Sequence, residues 1–244
     1  MIEVITPDWP VPSRVQALST TRIGGFSLPP YDGLNLGDHV GDQPQSVIKN
    51  RQLLQQLGLP SSPCWLEQVH GCDVVEVGIE SSQIADASIS RQPGKVLVIM
   101  TADCLPLLLC DKQGSCVAAV HAGWRGLLDG VIEAAIDKMS LPSAEIIAWM
   151  GPAIGPTAFE VGDEVFQAFV QRDPASADHF KDNRPGHKLA DIYGLARQRL
   201  AAKGVAFIGG GQCCTVSDSA RFFSYRRDGV TGRMATLIWL ENAH

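Results

Sequence analysis

The chain has 244 residues, with 20 Lys and Arg against 26 Asp and Glu, a formal charge of −6. Hydrophobic residues make up 45%, and 24 Gly and 15 Pro are too few for a low-complexity chain, so disorder and fibrous repeats are excluded. The acidic surplus and the lack of a broad cationic footprint exclude a phosphate-backbone binder, so nucleic acid is not an expected partner.

A length of 244 allows one large domain or two small ones. With no internal repeat, charge block or linker, we expect a single domain over 1–244. The opening MIEVITPDWPVP lacks a basic segment followed by an apolar one, so no signal peptide is indicated. The most apolar stretch, Val96 to Cys110, contains Asp103 and Pro106 and is too short to span a bilayer. A soluble, cytoplasmic protein without a membrane partner is the expectation. Seven cysteines, without a CxxC pair and with a vicinal Cys213-Cys214, fit buried, metal-binding or catalytic thiols in that setting better than disulfides.

Along the chain, Arg14 to Thr21 alternates weakly and predicts a strand. It leads into TRIGGFSLPPYDGLNLGDHVGD, rich in Gly and Pro, a long loop of the kind that usually carries function. Gln45 to Leu57 has helical character. Apolar or β-branched runs predict strands at 74–77, 96–101, 105–110, 116–121 and 146–150. Apolar residues at 127, 128, 131, 132, 135, 136 and 139 make one face of a helix over Leu127–Met139. Helices are predicted over Val161–Val170 and Leu189–Ala202, the second stopped by Gly204. Short strands around Phe222–Tyr225 and Ala235–Leu240, joined by a turn at Asp228-Gly229, close the chain. Strands and helices mix without βαβα alternation, which favours an α+β fold over a doubly wound sheet.

Asp111-Lys112-Gln113-Gly114 has the Asp and Gly of a type I turn between two apolar runs, so a hairpin is expected. If 111 faces 114, counting outward places Cys104 opposite His121, close enough for thiolate and imidazole to share a metal ion. His70, at the end of WLEQVHG, is the third candidate. Two His and one Cys leave a coordination position open, as catalytic zinc sites do. The same residues also read as hydrogen-bonded histidines and a small buried Cys. Asp103 is either an orienting partner or a turn residue.

HAGWRG (121–126) runs from a strand into a helix start, where backbone N–H groups beside Arg125 suit an anion. It also reads as a plain tight turn. Arg22 in the Gly loop is a further candidate cation, or simply solvated. Asn35 either reaches a ribose or caps a turn, and Tyr225-Arg226-Arg227 is equally open. His39 in the long loop either lines the pocket or is simply exposed, the second being the expectation. Neither a Walker A sequence nor GxGxxG occurs, so ATP and dinucleotides have no support.

Together these blocks make the sequence similar to the laccase-domain family, whose members are variously called polyphenol oxidases, purine nucleoside phosphorylases or peptidoglycan editing factors. The resemblance runs through TTRIGGFSLPPYDGLNLGDHVGD, WLEQVHG, TADCLPLLL, AAVHAGWRGLLDGV, MGPAIGPTAFEVGDEV and SYRRDGVTGRMA. It implies an α+β domain with a mixed sheet and flanking helices, like the Cys-dependent hydrolase fold of a bacterial toxin. It also implies zinc held by His70, Cys104 and His121. The implied activity is phosphorolysis of adenosine, inosine and methylthioadenosine, with additional adenosine deamination. Its partners would be purine nucleosides and phosphate, in a monomer or small homo-oligomer; on our own reading of the residues, Arg22 and the Arg125 helix start would hold the phosphate and Asn35 would reach the ribose. A copper-dependent phenol oxidase, with Cu2+ in place of Zn2+, is the alternative. The six histidines (39, 70, 121, 179, 187 and 244) are too few for a trinuclear copper centre once two are committed. A Cys hydrolase or peptidoglycan editing factor, with Cys104 as nucleophile and His121 as base, is the third reading.

Overall fold

The strand through Leu105 and Cys110 is buried along its whole length, which requires cover on both faces. The computed structural model, which describes residues 2–242, supplies that cover with helices on one side and a second sheet on the other.

In chain order the first elements are β1 (Val4–Ile5), β2 (Val15–Thr20), α1 (Pro44–Leu53), β3 (Val74–Glu76), β4 (Ala87–Ser90), β5 (Leu97–Thr101) and β6 (Leu105–Asp111). There follow β7 (Val117–Ala122), α2 (Trp124–Asp129), α3 (Val131–Met139), β8 (Ile146–Met150), β9 (Glu160–Gly162) and α4 (Asp163–Arg172). The remainder is β10 (Phe180–Asp182), β11 (His187–Ala190), α5 (Ile192–Ala202), β12 (Phe207–Gly210), α6 (Tyr225–Asp228) and β13 (Met234–Leu240).

A six-stranded mixed sheet has the order β12-β8-β6-β7-β4-β3, parallel at its two edges and antiparallel between. Beside it lies an antiparallel sheet β1-β2-β13-β5, and a small sheet β10-β11-β9 stands apart. The expected α+β mixture is present.

Alternation along β6 explains its unbroken apolar sequence. Leu105, Leu107 and Leu109 pack with Val131, Ile132, Ala135 and Ile136 of α3. Leu108 and Cys110 point the other way, against Leu97 and Ile99 of β5 and Ile238 and Leu240 of β13. Each such leucine, sealed on both sides, stabilises the fold by roughly 1.5–3 kcal/mol.

Four local expectations change. The helix expected over Leu127–Met139 starts earlier, at Trp124, and breaks at Gly130, whose φ of 107° ends α2 and starts α3. The stretches 161–170 and 189–202 each begin in strand (β9, β11) before turning into α4 and α5. Residues 222–225 form no strand: Phe222 and Phe223 are buried against Ala102 and Met234. Ser224 Oγ then accepts the Arg227 N–H and starts α6.

The β6–β7 hairpin is shifted by two residues from the expected register. Asp111 pairs with Cys116, not Gly114, because its carboxylate accepts the N–H groups of Ser115 and Cys116 and holds a four-residue loop. Pro106, not Cys104, therefore lies opposite His121. A shift of two preserves the face that each side chain occupies, so Cys104 and His121 still converge.

Candidate metal centre

Two loops and the end of β7 meet at one end of the central sheet. His70 follows the Glu67–Ile84 bridge, Cys104 immediately precedes β6, and His121 lies in β7. One ligand atom from each lies within 4.8 Å of the other two. Cys104 Sγ is 3.9 Å from His70 Nε2, and the two imidazoles meet edge to face at a centroid distance of 4.9 Å. His121 is buried, Cys104 half-buried and His70 exposed, so the trio is anchored on one side and open on the other.

Asp86, fully buried just ahead of β4, holds this arrangement. Its carboxylate accepts from His121 Nδ1 at 2.7 Å and from the backbone N–H groups of Val69, His70 and Gly71. With Nδ1 engaged, His121 turns Nε2 toward the cluster. Burial pushes the Asp86 carboxyl up, but the bonds from His121, Gly71 and His70 outweigh it and hold it below the usual range. His70 has a φ of 62° and Asp103, beside Cys104, a φ of 90°. Both are strained conformations that persist only where the surroundings impose them. Asp103 is fixed by Thr215 Oγ1, Ser224 Oγ and the N–H of Arg226, so it serves as an organiser of loops behind the thiol.

Burial raises the Cys104 thiol, yet the His121 charge and the hydrogen bonds to both imidazoles bring it down to about 6. Burial lowers His121, but Cys104 and Asp86 push it up to about 9. Left to themselves the two form a thiolate facing an imidazolium, and metal binding displaces the imidazole proton.

The residues fit a metal ion. A thiolate and two imidazoles suit zinc in type and number. Gly123 adds a second observation: a Cβ built there would lie 3.0 Å from His70 Cδ2 and 3.1 Å from Cys104 Sγ. The backbone is kept bare where the ligands must converge.

Two clefts open on the cluster and share His70, Ala102, Cys104 and Tyr225. One is walled by Trp124, Ile154, Phe159 and Ile192, with Arg125 and Arg226 as its cations. The other is polar, lined by His39, Gln68, Thr101, His121 and Arg233. His39 is thus both exposed, as expected, and part of a cleft wall.

Of the remaining candidates, Arg125 reaches the apolar cleft, its guanidinium 4.2 Å over the Trp124 ring. Arg22 does not join the cluster. It bonds Asp32 and the Ser219 carbonyl and lines a separate surface groove with Ile23 and Gly24. Asn35 is fully buried, its amide engaged with Gly37, Asp42 and the N–H of Arg233, so no edge of it is left for a ribose. Met100 lines the polar cleft, its sulfur 3.8 Å from Arg51. His244 lies outside the described residues. Asp86, Gln68 and Arg233 are the residues that spacing did not reveal. A lone Asp inside the apolar IADASIS was the only available signal for the first.

An α+β scaffold carrying an open His–Cys–His cluster defines a protein with a candidate metal site. A family model described as multi-copper polyphenol oxidoreductase laccase matches residues 16–241, and the chain belongs to that family. It is 55% identical to a protein named purine nucleoside phosphorylase YfiH from Escherichia coli K12, over 98% of this chain and all of the relative. It is 54% identical to a purine nucleoside phosphorylase of Pseudomonas aeruginosa, over 98% of both. A crystal structure from Neisseria meningitidis, 48% identical, superposes with a TM-score of 0.94 over 98% of this chain and 99% of that one. YlmD from Geobacillus stearothermophilus, 30% identical, gives 0.87 over 98% and 100%. No helix among the described residues is long and apolar enough to cross a membrane.

Proposed function

We propose that the protein is a metal-dependent purine nucleoside phosphorylase acting on adenosine, inosine and methylthioadenosine. The observation that carries this reading is the meeting of two clefts, one walled by Trp124 and Phe159 and the other carrying Arg233, on one open His–Cys–His face. The names of the relatives support it.

A planar purine belongs between Trp124, Phe159 and Ile154, where an apolar body finds stacking and exclusion of water. Arg125 and Arg226 at that cleft offer hydrogen bonds to its ring acceptors. The ribose then lies over His70 and Cys104, and phosphate enters from the polar side. In the reaction a phosphate oxygen bonds to C1′, the C1′–N9 bond breaks, and its electron pair leaves with the purine, which takes up a proton. His70, Cys104 and His121 would hold a zinc ion, which would supply Lewis-acid chemistry at this face. His121 keeps its orientation through Asp86. The same base cleft takes adenosine for the additional deamination, in which water replaces the amino group at C6.

The laccase description of the family model raises the copper alternative. Among the described residues, His70, Cys104 and His121 form the one group of three or more such ligands close enough to hold an ion. That suits one metal ion better than a multicopper array. We place the activity in the cytoplasm, since all seven cysteines are free thiols, as a reducing compartment keeps them.

The test is phosphate-dependent release of hypoxanthine from inosine by the zinc-loaded protein. It should disappear in His70→Ala and in Cys104→Ala; activity surviving both substitutions ends the metal-centred reading.

A further inference from the structure

Arg233 is the cation of the polar cleft, and among the described residues no carboxylate pairs with it. Its Nη1 donates to the carbonyls of Thr231 and Gly232, both at 3.0 Å, rather than to a carboxylate. Arg51 and Arg22 behave differently, pairing with Asp38 at 3.2 Å and Asp32 at 2.9 Å. Arg233 is half-buried, and burial lowers its pKa, the mark of a guanidinium held partly out of water. A desolvated cation is costly to keep without a partner. Around it the cleft contributes His39, Gln68, His70, His121, Tyr225 and Cys104, whose thiolate charge favours the guanidinium and would be shared with a bound metal, but no carboxylate.

The long loop at 21–42 is shaped to hold this side chain in place. Asn35 Oδ1 accepts the Arg233 backbone N–H at 2.9 Å, while its amide nitrogen is tied to Asp42 and the Gly37 carbonyl. Gly37 makes room for the stem, since a Cβ there would come within 2.8 Å of Arg233 Cγ. Asn50 in turn donates to the Asn35 carbonyl and to Ser27.

We propose that Arg233 anchors the phosphate co-substrate in the polar cleft, and that Asn35 is the residue that positions it. Nε and Nη2 of the fork are the groups that meet two phosphate oxygens, the geometry in which Arg outperforms Lys. This deepens the phosphorylase reading and rests on it. Asn35 thereby acts on substrate through Arg233 and not by touching it.

The test measures binding of inorganic phosphate to the zinc-loaded protein by calorimetry, alongside steady-state phosphorolysis. Arg233→Gln should weaken phosphate binding by about tenfold or more, the scale of a lost charge-assisted hydrogen bond, with Arg233→Lys intermediate. The phosphate KM should rise in parallel while the inosine KM stays put. Asn35→Ala should show the same split at smaller size; an equal rise in both KM values rejects its positioning role. Wild-type phosphate affinity in Arg233→Gln, or in Arg233→Lys should the Gln variant fail to fold, overturns the proposal, as does a wild-type protein that binds no phosphate. Phosphate binding that depends on Arg233 without any phosphorolysis would instead leave this site standing and remove the phosphorylase reading.

Discussion

Asp86 Oδ1 lies 2.7 Å from His121 Nδ1 and also accepts the backbone N–H of His70 at 2.9 Å. One buried carboxylate thus sets the tautomer of one histidine and the backbone strain of the other. The two ligands sit 51 residues apart in sequence, yet their relative position depends on a residue between them.

Asp86→Asn tests that dependence. The amide keeps the volume but loses the charge that fixes His121 and must point its NH2 at one of the donors now bonded to Asp86. Zinc affinity, measured by competition with a chelating dye, should fall by about 10–100-fold, the usual cost of losing such a partner. Circular dichroism should show the fold retained; unchanged affinity would dismiss Asp86 as an organiser of the site.

Gly123→Ala probes the cradle from the opposite side. Gly123 has φ −64° and ψ 159°, ordinary extended backbone, so the substitution carries no conformational penalty of its own. The whole effect comes from a methyl wedged between His70 and Cys104. Zinc affinity should drop by about tenfold or more, while the metal-free protein melts within about 1–2 °C of wild type. An equal loss of melting temperature in the metal-free state would mean that Gly123 serves packing and not the metal.

The legible part of this molecule lay where chemistry repeats locally. Apolar runs located β5, β6, β7 and β8, and the ligand trio was readable from motif blocks. The hairpin count failed by two residues, because Ser115 and Cys116 capture the Asp111 carboxylate and lengthen the loop. The convergence survived because the error was even. Asn35 and Arg233 are 198 residues apart and meet only through tertiary structure. No periodicity announces such a contact, so Asn35 looked like a ribose contact or a turn cap. Phe222 and Phe223 resembled a strand since both are bulky and apolar, but the Phe222 N–H bonds the Asp218 carbonyl and the Phe223 N–H the Met234 sulfur, not the backbone of a neighbouring strand.

Metal content separates zinc from copper. Protein purified without added copper and analysed by plasma mass spectrometry should carry about one zinc per chain, as a three-residue open site does. Chelation should then abolish phosphorolysis, and zinc should restore it. A stoichiometric copper content with a blue absorbance band would return the oxidase to first place, because a thiolate–copper site of His₂Cys type has that signature.

Alkylation of Cys104 decides whether the thiol is a ligand or a nucleophile. In the metal-free protein its folded pKa, about 6, is depressed, below the roughly 8.5 of an ordinary thiol. A depressed acid keeps its charge above the folded value and loses it only as pH falls through that value. Iodoacetamide should therefore modify Cys104 at a nearly constant rate from about pH 8 to pH 7 and slow only near pH 6. Cys110 and Cys116, pushed by burial up to about 12 and 11, should remain unmodified throughout. Saturating zinc should protect Cys104, since coordination draws charge from the thiolate and lowers its nucleophilicity. Continued modification at full zinc occupancy would free Cys104 from the metal and favour a hydrolase in which His121, 2.7 Å from Asp86, acts as its base.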